Sequence, residues 1–376
     1  MKDPATHTLS NDANNMDILS RVMVRAYCDN QHGTAPEDLE NLQRDLRYVE
    51  RLSSAQLTGF LELANINHVI VRALTMLQNA AIALDANRIA GWCEDSLKTE
   101  CARIEHGVGV LRDICDVLEA RNCQVAVIKS LDHWPDLGSD LDLYTTADQG
   151  HIEAVMGQEF GARPVERSWG DRLANKWNYR VPDLPELVEI HVQFLGQTGE
   201  HANVARRVVS RRVRKTVGGN EFYVPAPEER IVISTLQRVY RHFYFRLCDM
   251  IDMTLLLQNE SLEFAELRKA ADLAGVWPGV ATFLFLIQTF VKSYGGELPL
   301  PKEVVAAAHD RGRGVRFGNG FLRVSKLTAA GLYGSQLAQA SRHRDLRAML
   351  RLPLLPPLAV SALVAHRLTG NDKGIW

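Results

Sequence analysis

Between residues 124 and 225 the spacing of apolar residues changes, and this change constrains the fold more than any other feature of the chain. Before it, apolar residues recur at intervals of three and four, as in 57-LTGFLELANINHVIVRALTML-77 and 106-HGVGVLRDICDVLEARN-122. That is the spacing of helices with one buried face. Within the segment, short β-type runs alternate with turn signals: 124-QVAVI-128, 140-DLDLYT-145, 176-KWNYRV-181, 187-LVEIHVQF-194 and 221-EFYV-224. One amphipathic helix is predicted over about 147–160, between the second and third runs. The segment 182-PDLP-185 is short enough to join the third and fourth runs as an antiparallel hairpin. After 225-PAPEE-229 the helical spacing returns and continues. The expected fold class is therefore α+β, a small mixed or antiparallel sheet with flanking helices between N- and C-terminal helical regions. The expected divisions are a disordered tail over 1–15, a helical region over 16–103, the mixed core over 104–225 and a helical domain over 226–376.

Composition narrows the setting. The net charge is only −2 over 376 residues, so no global polyelectrolyte argument applies. Its distribution is uneven: residues 1–100 hold 9 Lys/Arg against 14 Asp/Glu, and residues 301–376 hold 12 against 4. An acidic head and a basic tail imply that one end meets anions or meets the other end. The six cysteines show no Cys-x-x-Cys pair and no histidine at zinc spacing. The N-terminal MKDPATHTLSNDANN lacks the apolar core of a signal peptide. The late run 352-LPLLPPLAVSALVA-365 is too short and too Pro-broken to span a bilayer. A cytoplasmic protein with no membrane span is expected.

The chemistry is concentrated in the mixed core. Successive side chains of a strand point to opposite faces, so Asp140 and Asp142 share one face while Leu141 and Leu143 pack on the other. Two carboxylates held that close repel each other, and a divalent cation relieves the repulsion. Hard oxygen donors at this spacing suit Mg2+, which binds through one or two carboxylates and substrate phosphates. Ser130, ten residues before Asp140, opens a turn that offers a hydroxyl and backbone N–H groups to a triphosphate. A third carboxylate, Glu189, shares a strand face with His191, while Val188, Ile190 and Val192 fill the other. Three carboxylates on neighbouring strands are able to hold two metals.

Four pieces in this order, Ile128-Lys129-Ser130, Ser139-Asp140-Leu141-Asp142-Leu143, Glu189-Ile190-His191 and 238-RVYRHFYFRLCDMIDMTLLL-257, resemble the DNA polymerase beta-like nucleotidyltransferase superfamily. More narrowly, over roughly residues 55–260 they resemble its uncharacterised nucleotidyltransferase family, often found in bacterial biosynthetic gene clusters. Three departures stand out. Ser130 replaces the family's usual Gly after the lysine, the loop from Lys129 to Asp140 is short, and Glu189 stands where Asp is more usual.

The resemblance implies that Asp140, Asp142 and Glu189 are catalytic and hold the metal, Mg2+ or in its place Mn2+. It implies that Lys129, Ser130, Ser139, His191 and Arg246 bind the nucleotide. It further implies transfer of a nucleoside monophosphate from an NTP, ATP first among them, to a hydroxyl or phosphate with release of pyrophosphate. The acceptor is unidentified, a small molecule, a peptide or RNA, with nucleic acid not favoured. Two alternatives stay open: a phosphotransferase on the same carboxylates, and a degenerate nucleotide-binding or scaffold module.

Other charged residues carry less. The run 206-RRVVSRRVRK-215 packs six cations into ten residues without an acid or an aromatic, and reads more readily as a solvated basic face than as an anion site. Arg246, Asp249 and Asp252 recur every three residues, so they line one helix face and either pair with each other or face the nucleotide, with Arg238, Arg241 and His242 just upstream. Trp134 in the loop reads as a packing aromatic.

Overall fold

The computed structural model describes residues 4–28, 36–309 and 314–369. Five helices lead into the core: α1 (Pro4–Cys28), α2 (Pro36–Glu50), α3 (Ser54–Ile66), α4 (Ile70–Ala83) and α5 (Asn87–Ala120). Helix α1 begins at Pro4 and continues without a break into the buried Met16, because no Gly or second Pro interrupts the polar stretch. Residues 1–3 lie outside the described residues. The apolar pattern over 57–77 is split between α3 and α4 at His68, which takes φ 52°. Asn67 sets that corner: its amide donates to the carbonyls of Leu63 and Gly320.

The core follows as β1 (Val125–Val127), β2 (Asp140–Thr145), α6 (Gln149–Phe160), β3 (Arg163–Pro164), α7 (Trp169–Ala174), β4 (Lys176–Arg180) and β5 (Leu187–Val192). Asp148 caps α6 and Gly161 ends it in the left-handed region. The strands form a mixed sheet in the order β1-β2-β5-β4-β3. β2 and β5 run parallel, and the other neighbours are antiparallel, including the expected β4–β5 hairpin.

Then come α8 (Ala202–Ser210), the hairpin β6 (Val213–Val217) and β7 (Asn220–Val224), and α9 (Pro227–Gln237). A π-helical turn, Arg238–His242, leads to β8 (Tyr244–Phe245) and α10 (Leu247–Asn259). Beyond lie α11 (Phe264–Leu273), α12 (Trp277–Ser293), α13 (Lys302–Ala307), β9 (Arg316–Gly318), β10 (Phe321–Arg323), α14 (Lys326–Arg342), α15 (Leu346–Arg351) and α16 (Leu355–Thr369).

Among the described residues two large apolar cores result, beside a small cluster at Ala340, Ala348 and Leu352. Leu141, Leu143, Val188 and Ile190 pack on Ile104, Val108, Leu111 and Leu118 of α5 and on Ile152 and Met156 of α6. The larger core joins α1–α4 to α9–α12 and reaches the other side of the sheet through Ile128 and Tyr144. Helix α5 runs unbroken through residue 103, and its packing changes partner between Cys93 and Ile104. The polar face of the sheet thus looks toward the helical body, and a cleft opens between them. Among the described residues no helix is long and apolar enough to cross a membrane.

Candidate active site

Strand register brings the polar residues together. Asp142 of β2 lies beside Glu189 of β5, which lies beside Asn178 of β4. One row on, Tyr144, His191 and Lys176 are neighbours. Asp140 stands one pleat away from Asp142 on the same face, at the mouth of the cleft.

The loop after β1 adds a cation. Ser130 N–H donates to the Ile128 carbonyl at 2.7 Å, closing a γ-turn around Lys129, whose φ is 64° and ψ −59°. This is backbone that favours glycine, and Lys129 holds it while adding a side chain. Its ammonium makes a close ion pair with Asp142 and lies 3.5 Å from Glu189 Oε1. The Ser130 hydroxyl donates to the Asp140 carbonyl and accepts from Asp142 N–H at 2.8 Å. It extends the β1–β2 ladder and fixes the height of both aspartates. Ser139 lies at the rim, 3.5 Å from Asp140 Oδ2.

Three carboxylates and two lysines set the electrostatics. The Glu189 side chain is buried, which by itself would push its carboxyl up. The ammonium groups of Lys129 and Lys176 and the His191 ring override this and hold it well below the usual carboxylate range. Lys176 Nζ is 2.9 Å from Glu189 Oε2 and 2.8 Å from Asp171 Oδ1, and His191 Nε2 donates to Glu189 Oε1 at 2.7 Å. Asp140 behaves oppositely. The cleft walls desolvate it although it opens to solvent, and Asp142 and Glu189 repel its charge, so its carboxyl is pushed up to about 6 against the opposing lysines.

These residues fit a divalent cation. Asp140 carries repulsion that Lys129 and Lys176 only partly offset, and carboxylate oxygens of Asp140 and Asp142 are hard donors on one face. Ligand atoms of Asp142, Glu189 and His191 also lie within 4.8 Å of one another.

The opposite wall is basic. Arg238, Arg241, His242 and Arg246 line the same cleft as Lys129, Ser130, Ser139, Asp140, Asp142 and Glu189, a space of about 360 Å3, within the range of small-molecule sites. Arg238 is 2% exposed and its Nε donates to Asp249, yet its Nη1 has no partner. Arg246 Nε is likewise buried without one. Buried guanidinium N–H groups left unpaired carry a desolvation cost that an anion removes. Desolvation and the neighbouring Arg241, Arg238 and Arg246 push the His242 imidazole well down, so it faces the cleft neutral.

Of the residues expected to be catalytic or nucleotide-binding, all but His191 line this cleft directly, and His191 sits behind it, holding Glu189. Asp249 and Asp252 do not face it: Asp249 pairs with Arg238, and Asp252 with Arg72 and His133. Trp134 packs over Gly218 in the β6–β7 turn. The basic run 206–215 is a solvated face only in part, with Arg206 and Arg214 exposed. Arg207 and Arg211 pair with Glu228, Glu229 and Glu266, Arg212 with Glu119, and Arg214 with Glu221. In the basic tail, Arg347 and Arg351 donate to the carbonyls of Leu173, Thr198 and Gly199. Asp171, Lys176 and Asn178 were not singled out in the sequence. The 182–185 hairpin carried the signal, since it sets Lys176 opposite His191 and Asn178 opposite Glu189.

Residues 137–292 match the family described as uncharacterised nucleotidyltransferase, which bears out the resemblance read from the motifs over that span. The match includes Asp140, Asp142, Glu189 and Arg246 and begins after the Lys129–Ser130 turn. It supports nucleotidyl transfer as the general reaction, with an NTP as substrate. No curated protein matches the sequence. Among solved structures, the antibiotic-resistance factor ANT(2'')-Ia is similar at 12% identity and a TM-score of 0.33, over 44% of this chain and 90% of that one. An antigenic nucleotidyltransferase-like protein from Paracoccidioides brasiliensis is similar at 14% identity and a TM-score of 0.30, over 51% of this chain and 93% of that one.

Proposed function

We propose that this chain is a Mg2+-dependent nucleotidyltransferase that moves a nucleoside monophosphate from an NTP, ATP by preference, to a hydroxyl or phosphate of its acceptor and releases pyrophosphate. The observation that carries this reading is the opposition of two walls across one cleft. Asp140, Asp142 and Glu189 stand on adjacent parallel strands, and facing them are buried guanidinium groups with unpaired N–H donors.

A triphosphate spans such walls. Asp140 and Asp142 would hold the metal, Mg2+ or Mn2+, which when bound offsets charge on the phosphates and the leaving pyrophosphate. Arg238, Arg241 and Arg246 line the wall that would meet the phosphates. Glu189, kept ionised by two lysines, is a poor proton acceptor and serves as the fixed anion that aims Lys129, Lys176 and His191. Asp140, pushed up to about 6 by burial and by Asp142 and Glu189, is the carboxylate whose charge a cation would relieve most. Small molecules, peptides and RNA all remain in scope as acceptor.

One observation favours a second reading. The Lys129 ammonium already bridges Asp142 and Glu189, as it would in a nucleotide-binding module that works without metal or turnover. Calorimetry of ATP binding with and without Mg2+, together with assay of pyrophosphate, separates the two. The first reading expects Mg2+-dependent binding and pyrophosphate release that falls by about 10²-fold or more in Asp142→Asn. Binding that is equal with and without Mg2+ supports the second, and ADP in place of pyrophosphate indicates phosphoryl transfer.

A further inference from the structure

A second group of metal-ligating side chains lies beside the cleft, assembled from three distant parts of the chain. His68 stands at the α3–α4 corner. Asn67 ties this corner to α10, since its Oδ1 accepts from Leu247 N–H at 2.9 Å and its carbonyl from Cys248 N–H at 3.2 Å. His133 ends the one-turn helix Ser130–His133 that follows Lys129. Cys248 lies in the first turn of α10, fully buried. One ligand atom from each of the three lies within 4.8 Å of the others. The two rings pack edge to face, with centroids 5.2 Å apart.

Three details distinguish this group from ordinary core packing. His133 Nδ1 is 2.5 Å from Asp252 Oδ2, the carboxylate–histidine arrangement that orients an imidazole so that Nε2 faces a metal. His68 Nδ1 is buried and has no hydrogen-bond partner. The charges around the group also leave a place that a cation is able to take from a proton on His133. Arg72 pairs with Asp136 at 2.7 Å and Asp252 at 2.6 Å, and Arg238 pairs with Asp249 at 2.7 Å. Three carboxylates face two guanidiniums and the His133 ring, and a Cys248 thiolate would add a fourth negative charge. One divalent cation would take the place of the ring proton and offset the thiolate.

We propose that His68, His133 and Cys248 form a second metal site, distinct from the carboxylates, for a borderline-soft divalent cation of the zinc type. Two imidazole nitrogens and a thiolate are the donors that select such an ion over Mg2+. Binding releases the thiol proton to solvent, as thiolate ligation requires. His68 and His133 also line the cleft, so a fourth ligand enters from that side. The site would pin the catalytic loop to both helical regions, because its ligands come from the α3–α4 corner, the loop after β1 and α10.

Cobalt tests this directly in the full-length protein after removal of metals with a chelator. The expected result is one equivalent of Co2+ that gives a thiolate-to-cobalt absorption, absent in Cys248→Ser. Affinity should fall by about 10–100-fold in Asp252→Asn and at least as much in His68→Gln, whose residue is half-buried at the cleft wall. Zn2+ should displace the cobalt and Mg2+ should not. Asp142→Asn should leave the absorption unchanged, so failure of the nucleotidyl-transfer reading would not be mistaken for failure of this one. Wild type that shows no thiolate-to-cobalt absorption, or an absorption that persists in Cys248→Ser, would overturn the site and leave Asp252, His133 and Cys248 as a hydrogen-bonded relay.

Discussion

At the scale of single residues, Lys129 does two things at once, and the two are separable. Its backbone sits where glycine is favoured, and its ammonium neutralises Asp142 and Glu189. Lys129→Gly and Lys129→Ala both remove the charge, but only glycine relieves the backbone. Strained positions of this kind cost roughly 1–3 kcal/mol. The glycine variant should therefore be more stable than the alanine variant by about 1–2 kcal/mol in urea unfolding, even if both fall below wild type. Equal stabilities would mean that the γ-turn carries no strain. The Glu189 departure reads the same way. The longer side chain reaches Lys176, Lys129 and His191 together, and a shorter Asp there would have to give up part of that set.

At the scale of elements, what the sequence made legible was whatever strand alternation encodes. Asp140 and Asp142 on one face, Glu189 and His191 on one face, and the β4–β5 hairpin all follow from a period of two and a short turn. The pairing of β2 with β5 does not, because parallel neighbours are joined by a long crossover that no local pattern marks. The short α7 and β3 were likewise invisible, each lacking enough residues to show a period. The basic run 206–215, exposed at Arg206 and Arg214 but paired elsewhere, was legible only in part for a different reason. Its carboxylate partners lie on α9, α5 and α11, so local charge density looked unpaired. Glu229, fully buried, receives both Arg207 and Arg211. Arg207→Ala should lower stability by about 3 kcal/mol, the low end for breaking a buried pair. It should leave ATP affinity within about twofold, and calorimetry beside thermal melting reads both. A large loss of affinity with unchanged melting would return this run to the role of an anion site.

At the scale of the whole molecule, three successive regions in sequence become two bodies in space. Helices from both ends share one core, in which α1, α3 and α4 meet α9, α10 and α12. The sheet rests its polar side on that body. Ile128, Tyr144, Leu195, Val204 and Val208 all belong to the shared core, not to the one beneath α5 and α6. Arg72 and Asn67 reach from the first region to Asp136, Asp252, Leu247 and Gly320. A fragment of residues 104–225 would keep the core under the sheet and lose the cover over the catalytic face. Burying apolar surface at about 25 cal/mol per Å2 is the main term that opposes chain entropy, so a fragment stripped of the helical body has less left to order it. The fragment should show no cooperative urea transition and should bind a hydrophobic dye, whereas the full chain unfolds cooperatively. A fragment that unfolds cooperatively with a near-UV spectrum of its own would show that the catalytic sheet is an independent domain. The helical body would then be an accessory to the cleft, not one of its walls.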